Sequence, residues 1–240
     1  MPGFKRLIVD SRDRAVGQPT YNFTLDLPYE IKAPFELGLL HAQIPNVIYN
    51  LENATVELKD TNGDPHSVPI PPGMYSSSKL AKVVQDELNS ALTGIQTFSV
   101  KYDPTTGYIT IQSDQNCTVL APALGFPAET SVGLSHTATE VLNLQVEPYL
   151  LLNVNGLSGA VRASATAPPP CTWVIPMTAN SREVIVYQGE SAGMQWVTCT
   201  SLTRRLEITL RRYDGSFVDL RGIDWSMILE IKYPCGCKAR

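Results

Sequence analysis

Tyr21-Asn22-Phe23-Thr24-Leu25-Asp26-Leu27-Pro28 alternates apolar and polar residues with a period of two. That period belongs to a strand with one buried face, because successive side chains point to opposite sides of the chain. Pro28 predicts its end, since proline cannot donate to a ladder. The same pattern recurs outward in both directions. Phe35 to Ile44 is an extended apolar run closed by Pro45-Asn46, and Ala54, Val56 and Leu58 alternate with polar residues up to the turn Thr61-Asn62-Gly63-Asp64. Toward the C-terminus, residues 149–154, 171–175 and 184–187 are short and apolar. Leu206, Ile208 and Leu210 face one way while Arg205, Glu207, Thr209 and Arg211 face the other, and Trp225, Met227, Leu229, Ile231 and Tyr233 form one face of a last strand.

The middle differs. Ser76-Ser77-Ser78 offers capping hydroxyls, and Leu80, Val83, Val84, Leu88, Ala91 and Leu92 follow at helical spacing before Gly94. A hairpin pattern follows, with Phe98, Val100 and Tyr102 alternating, a turn at 103–107, and a return at 108–112. Residues 65–135 therefore read as a small α+β module inserted between β-rich segments, 1–64 with an N-terminal arm and 136–240 with a C-terminal tail. Residues 163–170 read as a Pro- and Ala-rich loop. Many short strands with Pro- and Gly-rich connections point to a sandwich or jelly roll.

The chain has 240 residues, 43% hydrophobic and 18% charged, with a net charge of −4. It is globular, and its mild acidity gives no general pull toward nucleic acid or an anionic membrane. Its start, MPGFKRLIVDSRDR, lacks the apolar core of a signal peptide, and no apolar run reaches the roughly 20 residues of a membrane span. Synthesis in the cytosol is the expectation. Five cysteines, an odd number, do not form a secreted disulfide framework, and the N-x-T sequons at Asn22, Asn53 and Asn116 then read as chance matches.

Catalytic motifs are sparse. The three histidines, His41, His66 and His136, form no H-x-x-x-H pair, and neither a G-x-S-x-G elbow nor a Walker loop occurs. No enzyme activity, cofactor or metal is expected. Cys235-Gly236-Cys237 could offer two zinc ligands but would need two more, so a tail with free thiols is the simpler reading. Arg204, Arg205, Arg211 and Arg212 could meet phosphates, but Glu207 shares their strand and no aromatic platform is interleaved, so charge pairing or a subunit interface is preferred to specific nucleic-acid binding. Asp10-Ser11-Arg12-Asp13-Arg14 alternates acid and base, as a solvated arm or a docking peptide would.

These segments occur in a suggestive order. After Asp10-Ser11-Arg12-Asp13-Arg14 come Tyr21-Asn22-Phe23, Leu27-Pro28, Ile44-Pro45-Asn46 with Tyr49-Asn50, and Gly73 with Tyr75. Leu124-Gly125-Phe126, Pro148-Tyr149-Leu150, Asp214-Gly215, Asp219-Leu220 and Gly222-Ile223-Asp224-Trp225 complete the series. In this order the chain resembles the penton, or minor capsid, proteins of virophages, Polinton-like viruses, adintoviruses and related large double-stranded DNA viruses. The resemblance runs over nearly the whole chain and does not include the Cys235–Cys237 tail. It implies a mainly β fold, a single jelly-roll β-sandwich with a small inserted α+β module. It also implies a homopentamer at the five-fold vertices of an icosahedral capsid, located in the virion and contacting the major capsid protein. Other minor capsid proteins and a host receptor are further partners that it allows. Asp10, Ser11, Arg12, Asp13 and Arg14, with Ile44, Pro45, Asn46, Tyr49 and Asn50, are the assembly contacts it suggests. The alternative is a carbohydrate- or receptor-binding β-sandwich without catalytic activity, which would expose Trp173 or Trp196.

Overall fold

The structure, a computed structural model, describes residues 3–144, 147–154, 157, 171–180, 182–189, 193–201 and 203–233. The Pro- and Ala-rich loop at 163–170 and the Cys235-Gly236-Cys237 tail lie outside them. In chain order the strands are β1 (Gly3–Asp10), β2 (Asn22–Ile31), β3 (Phe35–Pro45), β4 (Ala54–Lys59), β5 (Pro65–Ile70), β6 (Phe98–Tyr102), β7 (Ile109–Leu120), β8 (Gly133–Thr137), β9 (Tyr149–Val154), β10 (Trp173–Pro176), β11 (Val184–Gln188), β12 (Trp196–Cys199), β13 (Thr203–Arg211) and β14 (Ser226–Tyr233). One α-helix, α1 (Ser77–Ala91), falls between β5 and β6. No described helix is long and apolar enough to cross a membrane.

Two compact units result: Met1–Ile48 with Glu147–Arg240, and Tyr49–Val146. The first holds two antiparallel sheets, ordered β1-β14-β3-β11 and β10-β9-β13-β2, with β12 also on β3. β11 pairs with residues 41–45 of β3 and β12 with residues 35–38, so together they occupy one interrupted strand position. Numbered along the chain, the eight strand positions of this unit then read 1-8-3-6 in one sheet and 2-7-4-5 in the other. This is the strand order of a jelly roll, the double-sheet solution to an all-β core. Its inward residues follow the period of two. Phe23, Leu37, Leu39, Ile44, Leu152, Trp173, Ile175, Ile208, Leu210, Leu229 and Ile231 are all buried.

Three expectations are corrected here. Residues 3–10 are no arm. β1 pairs with β14 without interruption from Gly3↔Tyr233 to Asp10↔Ser226 and is the first strand of the jelly roll. Pro28 does not end its strand. β2 continues to Ile31, because it is the edge strand of its sheet and the ladder with β13 is irregular between Asp26 and Ile31, where a missing N–H costs little. The inserted unit is wider than 65–135. β4 pairs with β5 and β7, so a boundary at residue 64 would cut through a hairpin.

The second unit is a sheet ordered β5-β4-β7-β6, with β8 also on β7 and α1 packed on β6 and β5. Ser76 caps α1 by accepting from the Lys79 N–H, and Leu80, Ala81, Val84 and Leu88 form its buried stripe. The helix also closes the free edge of β6. Asn89 Oδ1 accepts from Phe98 N at 2.6 Å, its Nδ2 donates to Phe98 O at 2.9 Å, and Gln85 Oε1 accepts from Val100 N at 3.0 Å. An edge strand satisfied in this way offers no template for another strand.

Candidate functional site

The Asp10 to Arg14 segment is a structural latch with an exposed rim. Asp10 caps a short 3-10 turn, Ser11–Asp13, and accepts from the Arg12 backbone N–H and from Arg12 Nε, each at 2.9 Å. Ser11 is buried against Asp224 and Trp225, more than 200 residues away. Its hydroxyl donates to Asp224 Oδ1 and accepts from Trp225 N, each at 2.9 Å, and its N–H donates to Trp225 O at 2.9 Å. Arg14 adds an ion pair with Asp224 and donates to the carbonyls of Ser11 and Gln18. Trp225 in turn donates from Nε1 to Thr20 O at 2.7 Å and meets Phe23 edge-on, ring centroids 6.0 Å apart. Arg12 and Asp13 remain exposed.

The Arg12 guanidinium holds the Asp10 carboxyl below the usual carboxylate range. A carboxyl whose folded pKa is depressed stabilises the fold above its unfolded value, and that contribution is lost as the pH falls through the folded value. The Asp10 side-chain resonance followed by NMR should therefore titrate below pH 3.8. Arg12→Ala should move it back up, and an unmoved titration would show that the pair is not formed in solution.

The segment Ile44 to Asn50 divides between the two units. Ile44 is fully buried opposite Ile185. Asn46 is a bridge within the jelly roll: Nδ2 donates to Ala179 O at 2.9 Å, its N–H to Glu183 O at 2.8 Å, and its carbonyl accepts from Arg182 N at 2.8 Å. Tyr49 and Asn50 open the second unit. Asn50 and Tyr75 exchange two bonds, Nδ2 to Tyr75 O and Tyr75 N to Oδ1, each 2.8 Å, beside a bridge between Leu51 and Gly73. Among the proposed contacts, Ser11 and Ile44 therefore serve the chain's own packing. Arg12 and Asp13 are the ones whose side chains stand in solvent. The partners Asp224, Trp225 and Tyr75 belong to the motif series, but spacing alone could not assign them to Ser11, Arg14 and Asn50.

Other chemistry is confined. A cavity of about 260 Å³ lies on the outer side of β4, β5 and β7. Lys59 and Glu129 pair in its wall at 2.9 Å, and Thr118 donates to the same carboxylate at 2.7 Å. Cys117 Sγ sits 3.5 Å from His136 Nε2, yet burial pushes the thiol up, the opposite of an activated nucleophile. No group of His, Cys, Asp and Glu with metal-binding geometry occurs among the described residues. Arg205 pairs with Asp26 across β13 and β2 at 2.9 Å, which accounts for one of the clustered arginines by cross-strand pairing. Trp173 is buried, with Nε1 donating to Gln195 O at 3.1 Å, and Trp196 is half-buried.

No family model matches the chain, and no curated protein matches it. Among solved structures, the fold is shared with chains of two virophages. The mavirus penton protein aligns over 95% of this chain and 99% of its own, with a TM-score of 0.54 at 10% identity. A chain of the Sputnik virophage, solved by cryo-EM, aligns over 96% and 97%, with a TM-score of 0.50 at 11% identity. At such identities the likeness is one of fold, and it spans both units because neither alone could fill the aligned share.

Proposed function

We propose that the chain is a structural virion protein: a penton subunit that forms a pentamer at the five-fold vertices of an icosahedral capsid and contacts neighbouring major capsid capsomers. One observation carries the reading. A 1-8-3-6 and 2-7-4-5 jelly roll, with a whole second unit between its third and fourth strand positions, aligns end to end with the mavirus penton protein. A jelly roll alone hosts many functions, so it is the two-unit arrangement that narrows the choice. A vertex subunit needs a rigid body and surfaces for neighbours, and no reacting centre. The motif series supplies the rigidity: its residues latch the ends of strands together inside one chain.

The test is the mass of the purified chain by light scattering, with class averages of the same sample by electron microscopy. Five-subunit rings, or five-fold density for this chain in assembled shells, are expected. A chain that stays monomeric at high concentration and is absent from vertices when co-expressed with a major capsid protein would sink the reading.

Arg12 is the residue to probe for shell contacts. Its side chain is exposed and its pair with Asp10 is local, whereas Arg14 supports the latch. Arg12→Glu should lower incorporation into shells several-fold while leaving the melting temperature within about 2 °C, the size of a surface effect. Unchanged incorporation would remove Asp10 to Arg14 from the contact set.

A further inference from the structure

The cavity on the second unit combines an apolar lining with one charge that nothing neutralises. Glu57 and Lys59 of β4 alternate with the buried Val56 and Leu58, so both point to its outer side. Glu57 stands opposite Ser67 of β5 and Leu120 of β7, and Lys59 stands opposite Pro65 and Thr118. Glu129 enters the same space from the loop after β7, and its carboxylate is engaged there by the Lys59 ammonium at 2.9 Å and the Thr118 hydroxyl at 2.7 Å. Lys59 is thus committed to Glu129, while Glu57 sits about 7 Å along the strand from it, two residues at about 3.4 Å each. His66 also lines the cavity and is turned to the buried Asp60, 3.4 Å away. The Glu57 carboxylate and the Ser67 hydroxyl take part in no hydrogen bond or ion pair among the described residues. Leu58, Pro65 and Leu120 supply the apolar part of the lining.

We propose that this cavity binds a primary alkylammonium group, a cation carried on a short apolar stem. The charge selects the sign: with Lys59 and Glu129 satisfied by each other, Glu57 is left to attract a cation, and the Ser67 hydroxyl beside it can accept a second of the three ammonium donors. A metal ion does not fit, because it needs several oxygen ligands and no group of His, Cys, Asp and Glu with metal-binding geometry occurs among the described residues. Nor does a quaternary ammonium, which aromatic faces recognise, since no aromatic ring lines the cavity. The apolar residues beside Glu57 suit methylenes laid along them, as lysine stems lie on apolar surface. The size sets the length. About 260 Å³, at about 30 Å³ for each water-sized atom, holds roughly nine non-hydrogen atoms. A free alkylamine and the lysine side chain of another protein share this chemistry. The proposal does not depend on the vertex reading.

The experiment is saturation-transfer difference NMR with the full chain, which observes the small molecule and so works at any assembly size. Pentylamine should saturate, with half-occupancy in the millimolar range, on the order of 1 mM for so few atoms. Pentanol, which has the same stem without the charge, should bind about fivefold more weakly, the effect of one solvent-screened ion pair. Pentylamine should lose about the same factor on Glu57→Gln. Asp86→Asn, which removes an exposed carboxylate of α1 outside the cavity, should leave binding unchanged. Far-UV circular dichroism checks that each variant is folded, and Glu57→Ala replaces Glu57→Gln if that variant is not. Nα-acetyl-lysine N-methylamide distinguishes the two sources: tighter binding than pentylamine supports a lysine side chain, and weaker binding supports a free amine. Pentanol that binds as tightly as pentylamine, or a folded Glu57 variant that binds like the wild type, overturns the site. So does an equal loss in Asp86→Asn, which would mark a general attraction to acidic surface, or no saturation below about 50 mM.

Discussion

Trp225→Ala should lower the stability of the jelly-roll unit by about 3–5 kcal/mol, the range for removing a buried aromatic side chain. The site can collapse little. The indole packs edge-on against Phe23, and its Nε1–H is committed to the Thr20 carbonyl, which would lose its donor. The backbone on both sides is also held, since Ser11 bonds to the N–H and the carbonyl of the same residue. Loss of the ring should loosen the start of β14 and, with it, the pairing of β1. Denaturant unfolding followed by tryptophan fluorescence is selective for this unit, because the chain's three tryptophans, Trp173, Trp196 and Trp225, all belong to it. Trp173 and Trp196 still report in the variant. A loss below about 1 kcal/mol, the scale of a surface substitution, would show that the latch is peripheral.

Gly125→Ala should damage the second unit by about 2–6 kcal/mol. Gly125 ends a short 3-10 turn, Pro122–Leu124, with φ at +90°, a conformation that L side chains rarely adopt. An added Cβ would also stand 2.2 Å from the Glu140 carbonyl oxygen, which is backbone and cannot swing aside. Strain and overpacking of about 1–3 kcal/mol each then add. The carbonyl of Gly125 accepts from both Thr139 and Glu140 N–H at 3.1 Å, so relief by moving the turn breaks those bonds and lifts Leu124 and Phe126 from the core. The helical signal at 222 nm reports on this unit through α1, the only α-helix among the described residues. It should melt earlier in the variant while the wild-type tryptophan transition persists. A variant as stable as the wild type would mean that the turn adopts another conformation.

Both substitutions bear on why the motif series is recognisable. Its members behave as intrachain closures. Ser11 with Trp225, Arg14 with Asp224, Asn46 with Ala179, Asn50 with Tyr75, and Gly125 with Glu140 each tie distant or turning backbone together. This explains why the segments proposed as contacts turned out to be partly buried. A residue type fixed by a backbone bond looks as specific in a sequence as one fixed by a partner.

Much of the strand pattern was legible. Residues 149–154 coincide with β9, the run from Phe35 is β3, and the helical spacing from Leu80 to Ala91 lies within α1, with Leu92 as its C-cap. Periodicity is local, and one buried face imposes it wherever the strand sits. For the same reason it could not say which sheet a strand joins. Ala54, Val56 and Leu58 alternate like the jelly-roll strands but belong to the second unit. β1 was missed because Phe4-Lys5-Arg6-Leu7-Ile8 puts apolar residues on both faces, one inward and one exposed. β12, Trp196–Cys199, was not read from the sequence.

The sequence by itself determined the fold class, the inserted module and the absence of catalytic motifs, since composition and period depend only on neighbours along the chain. Only the tertiary structure decided the 1-8-3-6 and 2-7-4-5 order, the boundary at Tyr49, and the pairing of Ser11 and Arg14 with Asp224 and Trp225. Those depend on contacts between residues up to about two hundred positions apart. Such contacts are selected by the summed burial of a whole core, which no local stretch encodes.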